Sequence, residues 1–277
     1  MPDAAWVALS LTGRIGRKTL RALLQRFGDT HAILSADAKA LRQVPGVGSK
    51  ITRSIQTIHL EQVQRDIERW QSAGVSIVTL NDPGYPARLR LLDDAPPTLF
   101  LTGSWQPAFD RAAAVVGTRS PSVVSAGIAR RFAMQLVRRG YTVVSGLAAG
   151  IDTHAHRAAL GAQGHTVAVL GCGILNVYPQ QNRELAGSIR RQGVLVCEVH
   201  PEAAPNAASL VARNRLITGL SEAVIVVETG TEGGAMHAAR FALAQGRRVY
   251  VVDNTASGNR DLIAGGATPV PDDWDGL

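Results

Sequence analysis

The stretch AAAVVGTRSPSVVSAGIARRFAMQLVRRGYTVVSGLAAGID, residues 112–152, decides the fold. An apolar run at 112–116 ends at Gly117, and helical patterning follows over 123–138. A second apolar run at 141–144 ends at Ser145-Gly146. Two strands in succession stop at small residues and hand over to helices. In a parallel α/β sheet this puts both loops at the carboxyl ends of neighbouring strands, where ligands bind. The first loop carries Arg119 and Ser120; the second carries Ser145, Gly146 and Gly150. Small residues beside a fixed cation let an anion approach the backbone.

The same rhythm continues to the end of the chain. Strands are expected at 141–145, 166–170, 194–198, 222–227, 248–252 and 268–270. Helices are expected at 152–163, 182–191, 207–218, 233–245 and 259–264. Alternation of this kind implies a doubly wound, mostly parallel sheet. The strands read as continuous apolar runs, as they must when both faces are covered. The pattern is Rossmann-like, but Gly117-Thr118-Arg119 stands where Gly-x-Gly-x-x-Gly opens a dinucleotide site. No acidic residue ends the second strand to hold a ribose, so an NAD-type oxidoreductase is disfavoured.

The remaining strand ends add to one set. They are Gly171, Cys172 and Gly173 with Tyr178-Pro179 and Asn182, then Glu198, then Glu228 through Gly234, with Arg213, Asn214 and Arg215 on the helix before the fifth strand. Arg183 joins Asn182 on charge grounds. Each glycine alone could simply close a turn; five such loops with three arginines on one edge suit phosphates. Acid–base chemistry is weakly indicated. His154 and His156 at i and i+2 point to different sides of a helix and do not chelate. Asp152 reads as a helix N-cap. Glu232 equally suits a helix start, where negative charge is favoured. No Ser-His-Asp order, zinc spacing or phosphate-loop motif with Gly-Lys-Ser/Thr appears. No metal, no cofactor and no enzymatic step are expected.

Totals agree with a polyanion partner. The formal net charge is +7 and the sequence pI about 10.1, with only three lysines, Lys18, Lys39 and Lys50, among 29 basic residues. Arginine forks onto phosphate and stacks on bases, although such a bias also follows from a GC-rich genome. Aromatics are 5% of the chain, so the core must be aliphatic. Cys172 and Cys197 fall in or beside apolar strands and read as buried free thiols of a reducing compartment. No run reaches the length of a membrane span and no signal-peptide pattern is present, so a cytoplasmic protein is expected.

Residues 1–70 read as short helices and form a separate domain, with 71–277 as the large one. Eleven Lys/Arg against six Asp/Glu in this quarter of the chain concentrate the excess charge here. Leu41-Arg42-Gln43-Val44-Pro45-Gly46-Val47-Gly48-Ser49-Lys50 has the helix-hairpin-helix pattern, and Lys50 and Arg53 lie in the first turns of its second helix. Its glycines tighten the turn and bring backbone N–H groups to the surface. Leu11-Thr12-Gly13-Arg14-Ile15-Gly16-Arg17-Lys18 echoes it imperfectly. Lys50 and Arg53 are secondary candidates for DNA contact; such hairpins also serve as scaffolds.

Several motifs in order resemble the DNA-processing protein A (DprA/Smf) family. They are Gly117-Thr118-Arg119, Ser145 through Asp152 with His156, Tyr178-Pro179-Gln180-Gln181-Asn182, Arg213-Asn214-Arg215 through Ser221, and Gly258-Asn259-Arg260 through Ala267. Tyr85-Pro86 and Pro96 through Phe100 resemble it too. The resemblance implies a single-stranded DNA-binding protein of natural transformation that protects incoming DNA and loads the RecA recombinase. It implies a SAM-like helical domain, an extended Rossmann-like domain that forms a homodimer, and a backbone pocket at Gly117, Arg119, Ser145, Gly146, Gly150, Asn182, Arg213, Asn214 and Arg215. The chain departs from the family at Gly171-Cys172-Gly173, at Glu232 in the fifth glycine loop, and in lacking a Tyr before Gly127. The winged-helix tail of some members is not expected. A second reading rests on Glu228-Thr229-Gly230-Thr231-Glu232. It is a nucleotide-binding phosphoribohydrolase, resembling the lysine-decarboxylase-like enzymes, that cleaves nucleoside monophosphates.

Overall fold

A computed structural model describes residues 2–13, 15–104 and 111–277; Arg14 of the first hairpin lies outside the described residues. The chain divides into two compact units, Met1–Phe100 and Leu101–Leu277.

The first unit holds α1 (Ala4–Leu11), α2 (Arg17–Phe27), α3 (Thr30–Ser35), α4 (Ala38–Arg42), α5 (Ser49–Gln56) and α6 (Leu60–Ser72), then β1 (Ser76–Thr79), α7 (Ala87–Arg90) and the start of β2 (Thr98–Gly103). Three of these helices, α1, α3 and α4, start where a side chain takes up an orphan N–H: Asp3, Asp29 and Asp37 accept from Ala5, Ala32 and Ala40. Leu9, Leu23, Ile33, Leu41, Val44, Val47, Ile51 and Ile55 close one aliphatic core. Trp6 Nε1 donates to Pro97 O at 3.0 Å and Tyr85 OH donates to Pro96 O at 2.8 Å, so the double proline is fastened to this unit. α7 was not legible in the sequence; its four residues are too few to show a period.

The second unit contains β3 (Ala112–Val116), α8 (Val123–Arg138), β4 (Thr142–Ser145), α9 (Ile151–Gly161), β5 (Thr166–Val169), α10 (Arg183–Gln192) and β6 (Val194–Cys197). These are followed by α11 (Ala207–Ala212), α12 (Asn214–Gly219), β7 (Ala223–Val226), α13 (Gly234–Ala244), β8 (Arg248–Val252), α14 (Ser257–Ala264) and β9 (Thr268–Val270). Its seven strands run in the order β6-β5-β4-β3-β7-β8-β9, and every pair is parallel. The fold is thus an α/β, Rossmann-like doubly wound sheet. The chain winds outward from β3 to β6, returns to the other side of β3, and winds outward again. The order reverses between β3 and β7, so a crevice opens at their carboxyl ends.

The core follows from helix periodicity. α8 buries Ile128, Ala129, Phe132, Ala133 and Leu136 on one face, against Ala113, Val115 and Val143 of the sheet and Ile151, Ala155 and Ala159 of α9. Full burial of a side chain such as Phe132 or Leu136 stabilises by about 1.5–3 kcal/mol. The alanines of β3 leave room for the helices to sit close. The helix expected over 207–218 is two helices, α11 and α12, interrupted at Arg213. The polar anchors at that junction, described below, hold the break.

Candidate functional site

A cleft of about 740 Å³ opens at the β3/β7 crossover. Its walls include Gly117, Thr118 and Arg119 after β3, Thr229 through Ala235 after β7, Asn206 and Leu210 of the α11 segment, and Tyr178. Thr118 N donates to Glu228 O at 2.7 Å, so the two loops that flank the reversal are bonded to each other. α13 begins at this wall without a side-chain cap, with Gly233 as its N-cap. His237 N is bonded to Gly233 O, and the N–H groups before it have no helical partner. A helix start of this kind favours an anion. Arg119, on the loop after β3, lines the same cleft and is exposed.

Beneath the cleft lies a polar floor. Ser145 is buried and its Oγ donates to Val115 O at 2.7 Å. Asn182, 2% exposed, donates through Nδ2 to Leu147 O and to Thr153 Oγ1, both at 2.9 Å. Asn214 Nδ2 donates to Gly234 O at 3.1 Å and so fixes the start of α13. Arg213 is 6% exposed, and its Nη1 donates to the carbonyls of Gly146 and Val169. Its guanidinium lies directly under Gly146: a Cβ there would overlap it. Gly146 is therefore a glycine because Arg213 passes below. Gly117 is one because a Cβ would overlap the Ile151 side chain. Gly150, at φ +80°, brings the second loop onto the first, where a Cβ would overlap Thr118 O.

Asp152 differs from the N-cap expected of it. The N-cap of α9 is Gly150, and the Asp152 carboxylate accepts from the loop's own Gly146 N at 3.0 Å and Ala148 N at 3.3 Å. Burial pushes its pKa up, against the lowering effect of Arg213 and the two N–H groups; burial likewise draws Arg213 down against Asp152. The 146–150 loop is thus held from two sides, by the Asp152 carboxylate at Gly146 N and Ala148 N and by Arg213 at Gly146 O. His156 Nδ1 lies 2.7 Å from Thr166 Oγ1, which donates to Val143 O. The imidazole must therefore donate from Nδ1, leaving Nε2 buried without a partner. Burial, then Arg213, lower its pKa to about 3.

Of the candidate residues, Gly117, Arg119, Arg213 and Asn214 line the cleft, with Arg213 and Asn214 as buried parts of its wall. Gly150 touches the Thr118–Arg119 backbone, and Ser120 is exposed beside it. Ser145, Gly146 and Asn182 are buried beneath the wall and do not themselves line the cleft. Arg183 is exposed at the start of α10, and Arg215 pairs with Glu198 at 2.5 Å; neither lines the cleft. Glu228 accepts from Ser122 N at 3.1 Å, so it secures the start of α8. Glu232 stands exposed in the wall.

Sequence reasoning missed the structural role of Asn259. It is fully buried, accepts from Thr229 N at 2.8 Å, and donates to Val227 O and Val252 O, so it shapes the β7 loop. An Asn in a short C-terminal helix carries no local signal for that.

In the first unit, Gly46 at φ +84° closes the hairpin and α5 starts at Gly48 without a side-chain cap. Lys50 and Arg53 are exposed on α5. In the earlier hairpin Arg17 Nη1 donates to Arg90 O at 2.8 Å, whereas Lys18 is exposed and pairs with Asp93 at 3.5 Å. Cys172 and Cys197 are buried free thiols, both raised in pKa by burial. Among the described residues no helix is long and apolar enough to cross a membrane, and no group of three His, Cys, Asp or Glu could hold a metal.

Residues 76–275 match the family profile of DNA recombination-mediator protein A, and residues 12–57 that of a SAM-like helix-hairpin-helix tandem. The chain is 31% identical to DNA processing protein DprA of Bacillus subtilis, over 97% of this chain and 93% of that protein. It is 35% identical to Protein Smf of Synechocystis, over 96% and 69%. Its fold is similar to the X-ray structure of DNA processing protein A from Streptococcus pneumoniae, with TM-score 0.83 and 26% identity over 99% and 97% of the two chains. It is also similar to a DNA processing protein A from Helicobacter pylori, described for its single-stranded DNA binding mode, with TM-score 0.64 and 28% identity over 70% and 90%.

Proposed function

Because the chain belongs to the DNA recombination-mediator protein A family, we propose that it binds single-stranded DNA in the cleft at the β3/β7 crossover and acts in DNA processing during natural transformation. It works by binding rather than by catalysis. The observation that carries this reading is that exposed Arg119 and the uncapped start of α13 line the same cleft. A cation and a helix N-terminus in one cleft suit a phosphate backbone. The Helicobacter pylori relative's single-stranded DNA binding supports it. Tyr178, 41% exposed in the wall, offers a ring for a base.

In the fuller reading, the protein protects incoming strands and loads RecA on them as a homodimer formed through the Rossmann-like domain. Residues 1–70 are then a helix-hairpin-helix domain and 71–277 the DNA-binding domain. Arg183 and Arg215 are further contacts on the second unit, and Lys50 and Arg53 are a secondary DNA contact on the first. Titration of a labelled single-stranded oligonucleotide over a salt series tests the central claim. The logarithm of the binding constant should fall linearly with log salt, with a slope of about 0.7 per phosphate neutralised. An Arg119→Ala protein with wild-type affinity would remove the site.

A further inference from the structure

Three basic groups crowd together outside the cleft. Arg130 on α8 places Nη1 3.5 Å from His154 Nδ1 on α9, and Arg157 stands one turn further along α9. Both arginines are exposed. Among the described residues neither is paired with a carboxylate. Asp152, the acidic group nearest in sequence, is turned inward to Gly146 and Ala148. Of the helices packed on α9, which are α8 and α10, only α8 brings a charge to His154, and that charge is Arg130. Burial, Arg130 and Arg157 all disfavour the imidazolium. A cluster of like charge without a counter-charge costs stability, and a polyanion is what neutralises it.

The cluster is continuous with the cleft. α9 begins where Ile151 N donates to Thr118 O at 3.1 Å, and Thr118 precedes Arg119. His154 lies in the first turn of α9. α8 starts just after the same loop, and its first turn leaves Val123 88% exposed. From Val123 to Arg130 is seven residues, about 10 Å along the helix. An apolar patch beside arginines suits bases on one side of a strand and phosphates on the other.

We propose that the single strand runs on from the cleft over the outer face of α8 and α9, where Arg130, His154 and Arg157 hold its phosphates. The inference rests on the cleft being a single-strand site, and it adds a second contact region to it. Phosphates at this face relieve the repulsion around His154. The bound imidazole then takes up a proton more readily than the free one, and affinity for a long strand rises as pH falls from 8 to 6.

The test compares labelled oligothymidylates of about 6 and about 20 nucleotides, the shorter sized to the cleft alone, the longer to cleft and track. With Arg130→Ala/Arg157→Ala, affinity for the short strand should be unchanged. Affinity for the long one should fall tenfold or more, with a salt slope smaller by about 1.4. The thermal midpoint should hold or rise, because a repulsion is removed. His154→Gln should flatten the pH dependence seen with the long strand. If the double variant binds the long strand as the wild type does, the track is wrong while the cleft stands; the cluster then serves another acidic partner. If the wild type binds neither strand, the cleft reading fails and the track with it. Arg130→Glu gives a second variant of the same surface, and unchanged long-strand affinity there also overturns the track.

Discussion

Arg119 and Arg213 are alike in sequence and opposite in surroundings. Arg119 is exposed at the cleft, whereas Arg213 is enclosed, donating to the carbonyls of Gly146 in the loop and Val169 at the end of β5. Arg119→Ala should weaken single-strand binding about tenfold or more and leave the thermal midpoint in place, as read by anisotropy and a melting scan. Arg213→Ala removes the buried donations to Gly146 O and Val169 O and the charge that offsets burial of Asp152, and each lost partner of this kind costs about 1–3 kcal/mol. Urea denaturation should show that loss. His156 makes a second residue-scale prediction. Its folded pKa of about 3 lies below the ordinary value of 6.5, so the unfolded chain binds the proton first. Stability is full above pH 6.5 and is lost as pH falls toward 3, by up to about 1.4 kcal/mol per unit. His156→Asn keeps a donor for Thr166 Oγ1 and removes the titration. Its midpoint should be lower at neutral pH and flatter between pH 6.5 and 4 than the wild type's.

At the scale of elements, the site is a set of loops locked to one another. Gly150 lies against Thr118 and Arg119, Glu228 accepts from Ser122, and Asn259 holds Thr229. Gly150→Ala meets both a backbone conformation that L side chains rarely adopt and an overlap with Thr118 O. It should cost about 1–3 kcal/mol and part the two loops. Stability and single-strand affinity should fall together, unlike Arg119→Ala, where only affinity moves. Glu232 acts in the opposite sense. Its exposed carboxylate sits in the wall of the cleft proposed to take a phosphate backbone. Glu232→Gln should therefore tighten strand binding several-fold and reduce the repulsion that low salt exposes, with no change in melting.

On the whole molecule, the sequence concentrates charge in the first unit, where two hairpins of similar sequence place it differently. The hairpin at 44–48 exposes Lys50 and Arg53 on α5, while the earlier hairpin spends Arg17 and Lys18 on contacts with residues 90–93. Lys50→Ala/Arg53→Ala in the full chain should lower the salt slope of single-strand binding by about 1.4 if both meet phosphates. An unchanged slope assigns this unit to scaffolding.

The sequence by itself determined the order of strands and helices, the doubly wound class and the edge at which the loops gather. Those features are local: four- and five-residue apolar runs ending at small residues, and helices with a 3.6-residue period, each read within its own segment. Only the tertiary structure decided that β7 lies beside β3 and opens the cleft there, that Arg119 meets solvent while Arg213 supports the floor, and that Asp152 serves the loop rather than the helix. It also decided that the glycines at 117 and 146 make room for Ile151 and Arg213. The reason is distance along the chain. Arg213 and its Gly146 acceptor are 67 residues apart, and Glu228 and Ser122 are 106 apart. Burial and partnership of that kind are set by packing, which no window of sequence contains.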